Sequence, residues 1–370
     1  MMKRKWVAAV AAAVFCLSAA MFAACGGEEE EPGDTPYQYD FTLELPAGEV
    51  DILVMSDTQV IDSSQGRELF GSDKTNYTPD KINERLFRYM DDAVSQGDPD
   101  LIVLGGDNVY ADFDLDFTNI DKFIAKMESY GKPWTFVFGN HDLYPYPNHP
   151  TLTNSQYVEE VLKKYEAAEH CMFKRTGVSD LRYNEYTLGI KQDGKYTLSL
   201  FFVDTGDASR GGIGITRKQC AWLEETSAEI QKSYGEVPVH VYMHVAIPAF
   251  VDGLNESYPD EWYSGAVIGS ENLPAVNGDF GRVAELSEID LPNSFGEDFF
   301  DICTENRVTN MFAAHNHKAS FSVLYRGVRL TMGLKTGEYD SHVQNFLGAT
   351  RAKVSAGKTA VEHLYYSGND

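Results

Sequence analysis

The amino-acid sequence predicts a mixed α/β sandwich around one core. Short apolar runs alternate with segments of helical periodicity through the first half, and the second half is rich in strands. Composition agrees: of 370 residues, 43% are hydrophobic and 12% aromatic, enough to bury a sizeable core. No linker divides the chain after residue 45, and no internal repeat is visible.

The elements follow in order. Asp51 to Ser56 is an apolar run bounded by Asp, as a buried strand would be. Asp80 to Gln96 repeats apolar residues at helical spacing through Ile82, Leu86, Tyr89, Met90 and Ala93. Asp100 to Gly105 is the next strand, and Phe117 to Tyr130 a helix with Gly131 expected at its C-cap. Pro133 to Phe138 is a third strand, followed by a helix over about 155–168. Two strands between 183 and 203 flank Gln192-Asp193-Gly194, a hairpin turn signal. Thr216 to Lys232 is helical and Val237 to Met243 extended. Periodicity fails over 248–300, which is rich in Gly, Pro, Asn and acidic residues. Val308 to Ala313, Ala319 to Tyr325, Val328 to Met332 and a last run to Tyr366 read as strands.

The front of the chain carries an address. Lys3, Arg4 and Lys5 precede an Ala-rich apolar run from Trp6 to Phe22, and Ala23-Ala24 stand before Cys25. Charge, apolar stretch and small residues make a secretory signal. With Cys directly after the small pair it resembles a bacterial lipoprotein signal, although Phe22 stands where Leu is usual. That resemblance implies lipidation of Cys25 and export to the outer side of the cell membrane. A plain signal peptide and an N-terminal anchor are the alternatives. The expected division is 1–24 signal, 25–40 acidic tether and 41–370 folded domain. Gly26 to Asp34, with four consecutive glutamates, is polar and self-repelling, as a tether should be.

Charge narrows the partners. Lys and Arg number 31 against 56 Asp and Glu, a net charge of −25, which excludes a broad nucleic-acid-binding surface. A small anionic substrate stays open, because a bound cation inverts the local field. Past the leader and Cys25, Cys171, Cys220 and Cys303 remain, too few for a disulfide scaffold.

Five apolar strands each end in carboxylate, amide or imidazole groups. The ends are Ser56-Asp57-Thr58-Gln59, Gly105-Gly106-Asp107-Asn108-Val109-Tyr110, Gly139-Asn140-His141-Asp142, Met243-His244-Val245 and Ala313-Ala314-His315-Asn316-His317. Ligands of α/β sheets collect at the carboxyl ends of strands. Taken singly, an Asp after a strand is usually a turn residue or N-cap, and a lone His usually a hydrogen-bonded structural group. Taken jointly, the donors suit a divalent or trivalent metal centre. Neither a Gly-x-Ser-x-Gly elbow nor a Gly-rich phosphate loop with Lys is present.

On these motifs the chain resembles the calcineurin-like metallophosphoesterases, whose blocks run Asp-x-His, Gly-Asp, Gly-Asn-His-Asp/Glu, His and Gly-His-x-His. The match spans Asp57 to His317. Gly106 to Tyr110 further resembles the Gly-Asp-x-x-Tyr block of purple acid phosphatases. The resemblance implies a four-layer sandwich, two mixed β-sheets flanked by helices. It implies two metal ions (Fe, Zn or Mn). Asp57 and His317 would hold one, Asn140, His244 and His315 the other, and Asp107 would bridge them. His141 would contact the phosphate and Asp142 orient His141. Gln59 departs from the family's first motif; its carbonyl oxygen could ligate or hold a water. Tyr110 could compensate as a phenolate, favouring Fe(III), or pack beside its strand. Ala314 replaces the usual Gly, a change expected to be tolerated.

The chemistry explains the residue types. Two cations clamp the phosphoryl oxygens and lower the pKa of a bridging water from about 15.7 toward neutrality, so that hydroxide can attack phosphorus. His141 as acid is worth about 10²–10⁴-fold. The expected function is hydrolysis of small phosphate esters, monoesters first, at the cell surface. A phosphodiesterase or nucleotide hydrolase is the second reading, and a non-catalytic metal- or phosphate-binding lipoprotein the third. Leu143 to His149 and Ala249 to Tyr263 are candidate rims of a substrate pocket.

Overall fold

A computed structural model describes residues 35–61, 78–111, 114–143, 149–176, 182–207, 212–259, 264–286, 295–343 and 346–366. The signal, Cys25 and the glutamate run lie outside the described residues. The smaller sheet joins β2 (Val50–Met55), β3 (Leu101–Leu104) and β4 (Trp134–Phe136) in parallel. β13 (Gly348–Ser355) adds antiparallel to β2, and β14 (Lys358–Tyr365) closes that edge. Among the described residues the larger sheet has nine strands. Its parallel centre is β6 (Lys195–Val203), β7 (Val239–Met243), β10 (Val308–Ala313) and β12 (Val328–Met332). β5 (Tyr186–Gln192) and β1 (Phe41–Leu45) extend one side; β11 (Ala319–Tyr325), β9 (Phe280–Val283) and β8 (Ala266–Ile268) extend the other.

Helices cover the outer faces. α1 (Pro79–Gly97), α2 (Thr118–Glu128) and α3 (Asn154–Glu166) share a core with the smaller sheet. α4 (Arg217–Tyr234), α5 (Ala249–Ser257) and α6 (Gly296–Glu305) pack on the outer face of the larger one. The expected four layers are therefore present. Strand alternation sorts the core. Phe201, Val241 and Met311 face α4 to α6, while Phe202, Tyr242 and Phe312 face the other sheet. The inward rings form a ladder across β5, β6, β7 and β10. Tyr186 stacks on Phe202 at 4.7 Å, Phe202 on Tyr242 at 5.4 Å and Tyr242 on Phe312 at 4.8 Å. Such pairs add to the burial that holds the sheets together.

Local signals act as expected at several ends. Thr153 and Thr216 form capping boxes with Gln156 and Gln219. The β5–β6 hairpin turns through Asp193 and Gly194 at φ 49° and 76°, the left-handed pair that a two-residue turn needs.

Three expectations are corrected. α2 stops at Glu128 with Ser129 as its cap, and Gly131 takes the left-handed conformation two residues later. The stretch 248–300 is not irregular throughout: it holds α5, β8, β9 and α6. Phe250, Leu254, Phe299 and Phe300 are buried there, a short apolar pattern that the surrounding Gly and Asp residues masked. The folded chain also starts before residue 41. Tyr39 is buried with its hydroxyl 2.6 Å from Ser199 Oγ, and Asp40 accepts from Thr187 N, so the end of the expected tether belongs to the sandwich. No helix among the described residues is long and apolar enough to cross a membrane.

Candidate metal centre

The five polar strand ends converge where the parallel strands of both sheets finish. β2 leads to Asp57, β3 to Asp107, β4 to Asn140, β7 to His244 and β10 to His315. The chain turns sharply at three of these residues: Asp57, Asp107 and His315 have φ of 52°, 50° and 65°. Non-glycine residues rarely adopt this region, and such strain gathers at functional sites.

Two triads of ligand atoms share one carboxylate. Asp107, His244 and His315 bring donor atoms within 4.8 Å of one another, and so do Asp57, Asp107 and His317. His244 Nδ1 donates to Gly105 O at 2.8 Å, which turns Nε2 toward Asp107 Oδ1, 3.5 Å away. His317 Nε2 lies 3.2 Å from Asp57 Oδ1. His244 Nε2 and Asn140 Oδ1 are buried with no hydrogen-bond partner, and a buried polar atom left so is costly unless something occupies its lone pair. Three imidazoles, two carboxylates and an amide oxygen are donors that a pair of Zn, Mn or Fe ions would accept. The residues present fit the group.

Charge is balanced internally. Burial works against a charged His244, yet the Asp107 carboxylate beside it lifts its pKa to about 9. Burial would raise Asp57 and Asp107, but the neighbouring imidazoles, His317 for the first and His244 for the second, hold both below the usual carboxylate range. Burial and the charge of His244 lower His315.

The backbone has little room. A Cβ on Gly139 would lie 2.1 Å from Asp107 Oδ1, and one on Gly105 2.2 Å from Ser56 Oγ. Ala314, by contrast, is buried outside the left-handed region, so its methyl is tolerated as expected.

Three further predicted site residues lie beside these ligands or on their loops. Gln59 does not turn its oxygen to the centre. Its Oε1 accepts from Lys335 Nζ at 2.6 Å, and its Nε2 faces Asp107 Oδ2 at 3.4 Å. Asp142 is engaged by backbone donors. Its carboxylate accepts from the N–H groups of Gly139 (2.7 Å), Asn108 (2.8 Å) and Val109 (3.0 Å), which joins the β3 and β4 loops. Burial, reinforced by Asp107, raises the Asp142 pKa to about 7. Tyr110 lies over the His141 ring, centroids 4.2 Å apart at 18°, with Tyr339 edge-on at 5.0 Å. His141 itself is anchored by its N–H, 2.9 Å from Asp107 Oδ1.

The described parts of the candidate pocket rims are framework. His149 Nδ1 accepts from Leu152 N and its Nε2 bonds Leu115 O; residues 144–148 lie outside the described residues. Residues 249–257 form α5, which packs inward through Phe250 and Leu254, and 260–263 are outside the described residues. Sequence reasoning missed Lys335, 3% exposed, and Ser341, whose Oγ is 3.4 Å from His317 Nδ1. Ser341 lies in Gly337 to His342, a lesser candidate segment to which the sequence assigns no role; Lys335 leaves no signal, since a lysine after a strand is ordinarily solvated.

A sequence model of the calcineurin-like phosphoesterase family matches residues 50–319. Among curated proteins of Arabidopsis thaliana, "Probable inactive purple acid phosphatase 29" is 26% identical over 191 residues, 46% of this chain and 47% of that protein. "Probable inactive purple acid phosphatase 14" is 22% identical over 262 residues, 65% of this chain and 59% of that protein. The chain thus spans about half the length of the curated relatives it matches. Among solved structures, a dimetal phosphatase from Danio rerio superposes with a TM-score of 0.48 at 10% identity, covering 85% of this chain and 96% of that one. A purple acid phosphatase from yellow lupin seeds gives 0.46 at 13% identity, covering 86% and 52%.

Proposed function

The chain belongs to the calcineurin-like phosphoesterases, and from that premise we propose that it is a dinuclear-metal hydrolase of small phosphate esters, monoesters first, lipid-anchored through Cys25 outside the cytoplasm. The observation that carries the catalytic part is the sharing of Asp107 by two ligand triads, with the buried lone pairs of His244 Nε2 and Asn140 Oδ1 open beside it. The leader sequence carries the location.

Asp57, Asp107 and His317 would hold one ion; Asp107, Asn140, His244 and His315 would hold the other. When bound, the pair offsets the substrate's negative charge and makes a water nucleophilic at neutral pH. The rest falls to the chain. The Gly105 carbonyl fixes the His244 tautomer, as outer-shell acceptors do for ligating imidazoles. Asp107 and Asp142 pin the Gly139–Asp142 turn through the His141 and Gly139 N–H groups. His141, held beneath Tyr110, delivers a proton to the leaving oxygen.

A second reading is a metal-binding protein without turnover. It is favoured by Gln59, whose oxygen is taken by Lys335, and by relatives that are named probable inactive phosphatases. Metal content by elemental analysis, with turnover of p-nitrophenyl and bis-p-nitrophenyl phosphate, separates the readings. Asp107→Ala should lose metal and turnover, and His141→Ala should keep metal and lose about 10²-fold in rate. A metal-replete protein that cleaves neither ester supports the second reading. Faster diester cleavage would make it a phosphodiesterase. Detergent-phase partitioning that is lost in Cys25→Ala tests the anchor.

A further inference from the structure

We infer that Lys335 is a resident cation of this centre and makes its two metal positions unequal. The position of Asp107, Asn140, His244 and His315 fills first; that of Asp57 and His317 takes a divalent ion weakly. The inference rests on the two-cation reading of the site.

Lys335 follows β12 and is 3% exposed. Its Nζ donates to Gln59 Oε1 at 2.6 Å and to the Asp57 carbonyl at 3.2 Å. Both partners are neutral oxygens, and the ammonium makes no ion pair at contact distance among the described residues. Its countercharge comes from the carboxylates of Asp57, Asp340 and Asp107, and an ion on the Asp57 side must draw on the first and last of these.

Gln59 compounds the effect. With its oxygen engaged, the group it presents to Asp107 is the amide Nε2, a donor at 3.4 Å. The Asp57 side is thus lined by an ammonium and an amide N–H₂, both positive ends. The opposite side offers two buried acceptors, His244 Nε2 and Asn140 Oδ1. A cation entering the first side meets repulsion at low dielectric, where a unit charge a few ångströms away counts heavily. Removing the gap between the positions needs only the loss of one positive charge.

The test is stepwise metal binding, independent of turnover. Chelator-stripped protein is titrated with Mn²⁺ and bound metal is counted by equilibrium dialysis. Wild type should show two steps separated by about a hundredfold in Kd. In Lys335→Met the gap should shrink by about tenfold or more, through the weak step alone. Gln59→Glu sets a carboxylate against the ammonium and should shrink it likewise. Circular-dichroism melting confirms that each variant is folded; if Lys335→Met is not, Gln59→Glu decides. Two equal steps in wild type, or an unchanged gap in the folded variants, overturns the role of Lys335 and leaves the two-cation reading intact. Failure of wild type to bind Mn²⁺, Zn²⁺ or Fe²⁺ overturns both.

Discussion

The ring of Tyr110 lies over the ring of His141, centroids 4.2 Å apart and planes 18° from parallel. The acid role proposed for His141 gains from a fixed imidazole plane, and a stacked phenol restrains that plane. Tyr339, itself buried against Ile61 and Ile82, holds the phenol from its edge.

Tyr110→Phe keeps that stack and should retain kcat/KM within about threefold. Tyr110→Ala should lower kcat about tenfold or more at unchanged metal content. Steady-state kinetics with elemental analysis checks both. Loss of metal in Tyr110→Phe would instead mark the hydroxyl as a ligand.

Gly139→Ala should weaken metal binding while the fold survives. The new Cβ would fall 2.1 Å from Asp107 Oδ1, a carboxylate that cannot retreat because it already accepts from His141 N. Elemental analysis should find less than half the wild-type metal, with an unchanged far-ultraviolet spectrum.

Asp142→Asn removes one acceptor oxygen and turns N–H₂ toward a backbone donor. Three N–H bonds from two loops converge on this buried carboxylate. A cost of about 2–3 kcal/mol follows from leaving a buried donor unsatisfied. Urea unfolding at pH 7 should show it as a lower midpoint at constant slope.

His240 supplies a pH dependence away from the centre. It is buried between the sheets, Nε2 2.8 Å from Thr359 Oγ1, and burial lowers its pKa from 6.5 to about 3. The unfolded chain therefore takes up a proton there that the folded one refuses as pH falls from about 6.5 to about 3. Stability contributed by the neutral ring is present above 6.5 and declines by about 1.4 kcal/mol per pH unit below it. His240→Gln should narrow its stability deficit against wild type by that slope between pH 6.5 and 4, measured by urea unfolding at each pH.

The strand–helix order was legible because buried parallel strands read as short apolar runs and surface helices repeat every three to four residues. α5 and α6 were not, because Phe250 with Leu254 and Phe299 with Phe300 are too few apolar positions to outweigh neighbouring Gly and acidic residues. The candidate donor types were legible as well, since Asp57, Asp107, Asn140, His244 and His315 each stand within four residues of a strand's end. What these residues touch was not. Asp142 looked like a partner for the adjacent His141, yet loops folding over from β3 supply its donors.

The sequence by itself determined the chemistry: which donor groups the chain owns, that they stand at strand ends, and that the family is the calcineurin-like phosphoesterases. Tertiary structure alone decided which charges meet. Lys335 reaches Gln59, 276 positions earlier in the chain, because β12 in one sheet and β2 in the other end at the same edge of the sandwich. That meeting depends on the packing of two sheets as wholes, and a contact summed over so many side chains leaves no periodicity or spacing for a linear reading to find.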